Sequence, residues 1–196
     1  MKSQVSQPLK SLEDICAISE WLEDNAGSKY RLAFTLGTNL GLRANELLSL
    51  RIRDVLNEDG TVKYYDAVEL HGYMGGEARK VFLNKTCADA LEWYFFGLPE
   101  KPNMDGFLFP SCLGGPLDVG AFRNILKRAA ISCNIKENIT THTMRKTWAL
   151  WRYKNGVSLY ELAILCGHSS PMVTAQYIGV NTVEFLTLLD KTGILN

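Results

Sequence analysis

Apolar residues recur along this chain mostly every three or four positions, which is the spacing of amphipathic helices. The first such stretch begins at Ser11, a predicted N-cap that forms a capping box with Asp14. One face of this helix is predicted to carry Leu12, Ile15, Ile18, Trp21 and Leu22. A mostly buried helix follows over "YRLAFTLGTNLG". Further helices are predicted from the caps Asn45, Thr86, Asp118, Thr140 or Thr141, Ser158 and Ser170.

Two other segments, "TVKYYDAVEL" and "RKVFLN", are rich in β-branched and aromatic residues, as strands are. They are joined through "GYMGGEA", so they predict an antiparallel hairpin. If Gly75 and Gly76 form a two-residue turn, Gly72 lies opposite Arg79. The sequence therefore predicts an α+β fold, mainly helical, with one small antiparallel hairpin.

The chain has 196 residues, which suits a single domain. We expect a flexible segment over residues 1–10 and one domain over residues 11–196. Its last helix, over about residues 182–191, carries an apolar stripe but is too short to be stable alone.

Charge and cysteine content narrow the function classes. The formal net charge is zero, so a nucleic-acid interface requires a local basic face. The five cysteines form no CxxC pair, which argues against a zinc knuckle, and reduced thiols in the cytoplasm are the default expectation. We expect no signal peptide, because the N-terminal "MKSQVSQPLK" has no apolar run, and no membrane span, because no later segment reaches about 18 apolar residues.

Five polar residues fall at predicted helix starts and junctions: Arg43, His142, Arg145, His168 and Tyr177. Guanidinium groups match phosphate oxygens, histidine carries protons near neutral pH, and a deprotonated tyrosine is a nucleophile. Together these groups suit a phosphodiester substrate. Each residue also has an ordinary explanation: an ion pair of Arg43 with Glu46, a solvated first turn at His142 and Arg145, a capping His168 and a core Tyr177.

Three segments carry these residues: "GLRANELLSL", "HTMRKTWA" and "LCGHSSPMVTAQYI". They resemble the three boxes of the tyrosine recombinase (phage integrase) family, R-x-x-E-L, H-x-x-R and L-G-H-S. In that family a nucleophilic tyrosine follows the last histidine by nine residues, as Tyr177 follows His168 here. The three boxes occur in the family's order, and the resemblance extends from about Ser11 to the C-terminus.

The resemblance implies a site-specific DNA recombinase. Tyr177 would attack the scissile phosphate and form a 3′-phosphotyrosine link with a free 5′-hydroxyl. Arg43 and Arg145 would bind the phosphate oxygens, His168 would add a hydrogen bond, and His142 would assist proton transfer. Glu46 would have a structural role near the site. No cofactor or metal is implied, because the covalent link conserves the bond energy.

One catalytic group of the family has no match. The family uses a lysine at the hairpin tip as the acid that protonates the leaving 5′-oxygen. When the hairpin is aligned so that Val81 and Leu83 face inward, the position of the family's lysine falls on Met74. The thioether of Met74 donates no proton. The neighbouring cations are Lys80, a candidate catalytic lysine, and Arg79. Both are also candidates for DNA-phosphate contacts alone.

The resemblance also implies double-stranded DNA as the partner. We expect a monomer in solution and a tetramer on paired DNA sites, with the tail helix over about 182–191 docking on a neighbouring protomer or on its own domain. In most family members a helical DNA-binding domain precedes the catalytic domain. We expect that domain to be absent here, because the catalytic-type helix begins at Ser11. This fits either an excised domain or a naturally short recombinase from a bacterium, an archaeon or a mobile element.

Two other functions remain as alternatives. A type IB topoisomerase would nick and reseal DNA by the same chemistry without pairing two sites. A catalytically impaired DNA-binding or regulatory relative would explain Met74.

Substitution at the hairpin tests which residue protonates the leaving oxygen. Met74→Lys is expected to raise the DNA cleavage rate if the acid is missing, and Lys80→Ala to lower it if Lys80 has that role. A 5′-bridging phosphorothioate, whose leaving group needs no proton, is then expected to restore cleavage by Lys80→Ala. If Lys80→Ala leaves both rates unchanged, Lys80 is not catalytic.

Overall fold

Nine helices and a two-stranded antiparallel sheet form the part of the chain that this computed structural model describes, residues 5–64, 67–70 and 79–180. In chain order the elements are α1 (Leu12–Asn25), α2 (Ser28–Leu40), α3 (Ala44–Leu48), α4 (Ile52–Val55), β1 (Ala67–Leu70), β2 (Arg79–Phe82), α5 (Lys85–Phe96), α6 (Val119–Ser132), α7 (Thr141–Lys154), α8 (Leu159–Cys166) and α9 (Pro171–Ile178). The predicted α+β class is confirmed. The predicted tail helix lies outside the described residues.

Most predicted helix starts are confirmed by their caps. The hydroxyls of Ser11 and Ser170 accept hydrogen bonds from backbone N–H groups three residues on, at 3.1 and 3.3 Å. Asp118 accepts from the backbone of α6 at 2.8 Å, and Thr140 caps α7. Ser158 forms the predicted capping box at the start of α8. These local bonds satisfy the first N–H groups of each helix.

The prediction of one helix capped by Asn45 is wrong. Arg43 is the N-cap, because the Glu46 carboxylate accepts a hydrogen bond from the backbone N–H of Arg43 at 2.7 Å. The predicted helix is also divided into α3 and α4. Between them Arg51 is extended and forms a β-bridge with Phe107.

The predicted cap of α5 is displaced by two residues. Asn84, not Thr86, caps this helix, because its side-chain oxygen accepts a hydrogen bond from the backbone N–H of Cys87 at 2.9 Å. An asparagine caps a helix at least as well as a threonine, so cap preference alone could not select Thr86.

Leu12 does not lie on the buried face of α1 as predicted. Its side chain is 58% exposed, whereas Ile18 and Leu22 are fully buried. At about 100° per residue, Leu12 lies about 120° around the helix from Ile18, at the edge of the apolar stripe.

The sheet confirms which side chains face inward but corrects the register. Val68 and Leu83 are buried, Val81 packs against the core, and Lys80 is exposed. Leu70 lies opposite Arg79, where a turn at Gly75-Gly76 would have placed Gly72. A shift of two residues keeps every side chain on its face, so the hydrophobic pattern could not exclude it. Residues 71–78, Met74 included, lie outside the described residues.

The N-terminal segment packs against α7. Leu9 is buried, and its backbone N–H donates to the Thr147 hydroxyl at 2.9 Å. The Trp151 indole donates to the Leu9 carbonyl at 3.2 Å, and the Lys146 ammonium to the Ser6 carbonyl at 2.8 Å. Side chains of α7 thus hydrogen-bond the backbone at Ser6 and Leu9, within the segment over residues 1–10 whose flexibility stays a prediction.

Helix α7 connects two hydrophobic clusters. Its residue Met144 belongs to the larger cluster, built around side chains such as Phe34 and Phe122. Its residues Ala149 and Leu150 belong to a smaller cluster with α8 and α9. The start of α7 is therefore joined through a single helix to both clusters. Within the described residues, no helix has both the length and the apolar character needed to cross a bilayer.

Substitution of Gly41, the residue that ends α2, tests how tightly α2 and α7 pack. Its φ is +63°, and a Cβ there would lie 2.5 Å from the Trp148 ring. Gly41→Ala is expected to lower the free energy of unfolding by about 2–4 kcal/mol, from left-handed strain and overpacking together. Gly60→Ala is the control, with φ +87° and nothing within 4 Å. It should lose about 1–2 kcal/mol from strain alone. Equal losses in denaturant unfolding would contradict the packing argument.

Candidate active site

The five residues singled out from the sequence line one cleft of about 370 Å³. They are Arg43, His142, Arg145, His168 and Tyr177. Tertiary structure therefore brings together residues that lie up to 134 positions apart along the chain.

Arg43 reaches the cleft from the start of α3. Its guanidinium donates to a Glu46 oxygen at 3.2 Å, and the other Glu46 oxygen accepts from the Arg43 backbone. The ion pair of Arg43 with Glu46 is thus present, and Arg43 also lines the cleft. The Arg43 side chain is 59% exposed, so it remains accessible to an anion.

Arg145 is buried beneath the cleft, at 6% exposure. Its guanidinium donates to the carbonyl of Gly41 and, at 2.8 Å, to the carbonyl of Cys166. These carbonyls lie at the C-terminal ends of α2 and α8, where helix dipoles favour a cation. Arg145 thus hydrogen-bonds backbone carbonyls at the ends of two helices and fixes these ends against each other.

His142 lies in the first turn of α7, with its side chain exposed at the cleft. Its backbone N–H donates to the Thr140 cap at 3.2 Å. The predicted first-turn position is confirmed, and the imidazole is open to a substrate.

His168 is placed by the end of α8. Gly167 adopts a left-handed conformation with φ +65°, and the His168 N–H donates to the Ala163 carbonyl at 2.8 Å. This ending of a helix turns the chain sharply. The His168 ring then packs edge-on against Tyr177, with ring centroids 4.8 Å apart.

Burial changes the proton affinities of both rings. Burial raises the pKa of Tyr177, and the positive charges of Arg145 and Arg43 partly offset this rise. Burial, and then the same two arginines, lower the pKa of His168. At neutral pH the Tyr177 phenol is therefore protonated and the His168 imidazole neutral. A nucleophilic Tyr177 needs a proton acceptor and nearby positive charge.

Sequence reasoning missed two residues that contact these rings. The Lys146 ammonium, whose pKa burial lowers, lies 4.8 Å from the Tyr177 ring centroid. The Thr174 hydroxyl lies 2.9 Å from Nδ1 of His168. Their signal in the sequence was weak: a lysine inside a buried helix and a threonine one turn before a tyrosine.

The hairpin contributes none of the described residues that line the cleft. Lys80 lies opposite Glu69 in the sheet and is exposed. The catalytic role of Lys80 and the DNA contacts of Arg79 stay predictions, because the hairpin tip lies outside the described residues.

The sequence profile of the Phage integrase family matches residues 8–184. This chain belongs to the phage integrase family. The family resemblance of the three motif segments is thereby confirmed. The match covers all five cleft residues named above.

Curated relatives agree with phage integrase membership. The probable integrase/recombinase YoeC of Bacillus subtilis is 30% identical over 179 residues, covering 90% of this chain and 91% of that protein. Tyrosine recombinase XerD of Staphylococcus saprophyticus is 30% identical over 154 residues, covering 77% of this chain and 50% of that protein. The chain thus spans nearly all of YoeC but half of XerD.

Solved structures show that the fold is shared. The XerA recombinase crystal structure matches with a TM-score of 0.70 and 20% identity, over 95% of this chain and 66% of that one. The Tn1549 transposon integrase, in complex with circular intermediate DNA, matches with a TM-score of 0.67 and 19% identity. That match covers 98% of this chain and 69% of that one.

The two arginines are expected to differ in their effect on stability. Arg145→Ala leaves two helix-end carbonyls without their donor in a buried site, and should cost about 2–4 kcal/mol of unfolding free energy. Arg43→Ala removes one end of a half-exposed ion pair, and should cost about 1 kcal/mol or less. Denaturant unfolding of both variants measures the difference. A larger loss in Arg43→Ala would contradict this assignment.

Proposed function

We propose that this chain is the catalytic domain, over residues 11–196, of a site-specific DNA recombinase. It cuts and rejoins DNA through a covalent 3′-phosphotyrosine intermediate. The observation that carries the proposal is the convergence of Arg43, His142, Arg145, His168 and Tyr177 on one cleft in a member of the phage integrase family.

The charge of the cleft supports a phosphodiester substrate. Its described lining residues include two arginines and two histidines and no carboxylate. The whole chain has a net charge of zero, so this positive region is local. Guanidinium groups bind non-bridging phosphate oxygens through paired hydrogen bonds, and the charge on those oxygens increases in the transition state.

The proposed reaction exchanges one phosphate ester for another. The Tyr177 oxygen attacks phosphorus, the bond from phosphorus to the 5′-oxygen breaks, and a 3′-phosphotyrosine forms. The phenol proton passes to His142, while the leaving 5′-oxygen takes a proton from the candidate acid Lys80 or, if that acid is missing, from water, and becomes a hydroxyl. In rejoining, a 5′-hydroxyl attacks phosphorus and Tyr177 leaves. The number of phosphate ester bonds is unchanged, so resealing needs no outside energy.

The proposed partner is double-stranded DNA, and the proposed assembly is a monomer in solution that forms a tetramer on paired sites. Relatives of the same fold support the DNA partner, since the Tn1549 integrase is described in complex with DNA and the XerH recombinase bound to its difH substrate. The proposed assembly rests on the apolar tail over about residues 182–191.

Covalent capture is the direct test. The protein is mixed with a labelled pool of duplexes, and SDS-resistant protein–DNA adducts are sequenced to identify a site. A duplex nicked beside that site then traps the adduct, because the short cleaved strand diffuses away. Strand exchange is then measured on DNA that carries two copies of the identified site. An adduct with relaxation of supercoils but no exchange would indicate a topoisomerase. Specific binding without an adduct would indicate a catalytically impaired relative.

Tyr177→Phe is expected to abolish the adduct and to change DNA affinity by about twofold or less, because only the attacking oxygen is lost. Tyr160→Phe is the control, since Tyr160 is an exposed residue of α8 outside the cleft. It should retain the adduct. An adduct that persists in Tyr177→Phe would place the nucleophile elsewhere, with Tyr160 and Tyr153 the next candidates.

A further inference from the structure

Thr174 lies in α9 one turn before Tyr177, and its side chain is fully buried. Its hydroxyl oxygen is 2.9 Å from Nδ1 of His168 and 3.4 Å from the carbonyl of Ser170. A threonine inside a helix commonly donates to the carbonyl four residues earlier, which here is Ser170. In this helix the shorter contact is to the histidine instead.

The Thr174 hydroxyl has a single proton to donate. Hydrogen bonds from a hydroxyl are usually 2.5–3.0 Å long, so the contact with Nδ1 at 2.9 Å is favourable and the carbonyl contact at 3.4 Å is long. In the reverse arrangement Nδ1–H would donate to the Thr174 oxygen, and the hydroxyl proton would be left with only the long contact to the Ser170 carbonyl. We therefore assign the hydroxyl proton to the bond with Nδ1. A neutral imidazole that accepts at Nδ1 carries its own proton on Nε2.

The choice of tautomer matters because the imidazole is neutral. Burial and the charges of Arg145 and Arg43 lower the pKa of His168. A charged imidazole would donate from both nitrogens, but a neutral one donates from only one. If the proton were on Nδ1, the ring would present a lone pair at Nε2 to an anionic phosphate oxygen, which is repulsive.

We propose that Thr174 is the positioning residue that fixes the tautomer of His168, so that Nε2–H donates to a phosphate oxygen in the cleft. This inference rests on the proposed function for the identity of the acceptor. Thr174 and Tyr177 belong to the same short helix, α9. The residue that orients His168 and the proposed nucleophile are therefore positioned by one element.

The tautomer can be read directly without DNA. The protein is labelled with ¹⁵N-histidine, and a long-range ¹H–¹⁵N correlation is recorded at about pH 8, above the usual histidine pKa. The chain has three histidines, and His168→Gln identifies the signals of His168 by their loss. We expect Nδ1 to resonate as the unprotonated nitrogen and Nε2 as the protonated one. A protonated Nδ1 in the unsubstituted protein would overturn the proposal, whatever the variants do.

Two substitutions then test the hydroxyl. Thr174→Val keeps the shape and removes the donor, and is expected to slow cleavage of the nicked duplex about tenfold, equivalent to about 1.4 kcal/mol, and to alter the His168 nitrogen signals. Thr174→Ser keeps the donor and should retain both the signals and a rate within about threefold. Thr147→Val is the matched control, because it removes a buried hydroxyl that bonds Leu9 and not His168. It should leave the His168 signals and the cleavage rate unchanged.

The remaining outcomes are decisive. If Thr174→Ser is as slow as Thr174→Val, the methyl group and its packing matter, and the hydroxyl is not the positioning group. If Thr174→Val keeps the signals and the rate of the unsubstituted protein, the proposal fails. If Thr174→Val does not fold, the tautomer of His168 in the unsubstituted protein and the cleavage rate of Thr174→Ser still test the proposal. Absence of any adduct in the unsubstituted protein would count against the proposed function, while the tautomer measurement stands independently.

Discussion

The structure depends on one buried cation. The Arg145 guanidinium donates to the carbonyls of Gly41 and Cys166, and so joins the C-terminal ends of α2 and α8. A buried guanidinium without good partners would be strongly destabilising, but carbonyls at helix C-termini carry partial negative charge and accept its hydrogen bonds. Arg43 follows Gly41 by two residues and His168 follows Cys166 by two residues, so the same contact brings both side chains to the cleft.

Helix α7 extends this constraint to Tyr177, the proposed nucleophile. Its first turns carry His142 and Arg145, and its body joins the two hydrophobic clusters. Tyr177 packs on the smaller cluster and against His168. The proposed reacting groups therefore lie in or directly beside helices whose relative positions are fixed by packing. Such an arrangement suits a reaction that requires preorganised charge.

Charge is organised locally. The net charge of the whole chain is zero, but the described residues that line the cleft include arginines and histidines and no carboxylate. Glu46 is nearby, but it is buried against Arg43 and orients that guanidinium. Burial keeps the Tyr177 phenol protonated and the His168 imidazole neutral, and both effects depend on solvent exclusion.

The sequence by itself determined the local features: helix starts with a Ser, Thr or Asp cap, the inward face of Val81 and Leu83, and the identity of the five cleft residues through their motifs. The caps and the inward face depend on interactions within a few residues, which spacing records, whereas the cleft residues were identified by the resemblance of their segments to the family's motifs. The sequence did not determine the cap at Asn84 or the strand register, where the local pattern fits two solutions equally well, or the packing of Leu9, whose contacts with α7 are about 140 residues distant in the chain. Only the tertiary structure decided that Thr174 meets His168 and that Lys146 lies over Tyr177. Such contacts follow from how α7, α8 and α9 pack, and residue spacing carries no record of that packing.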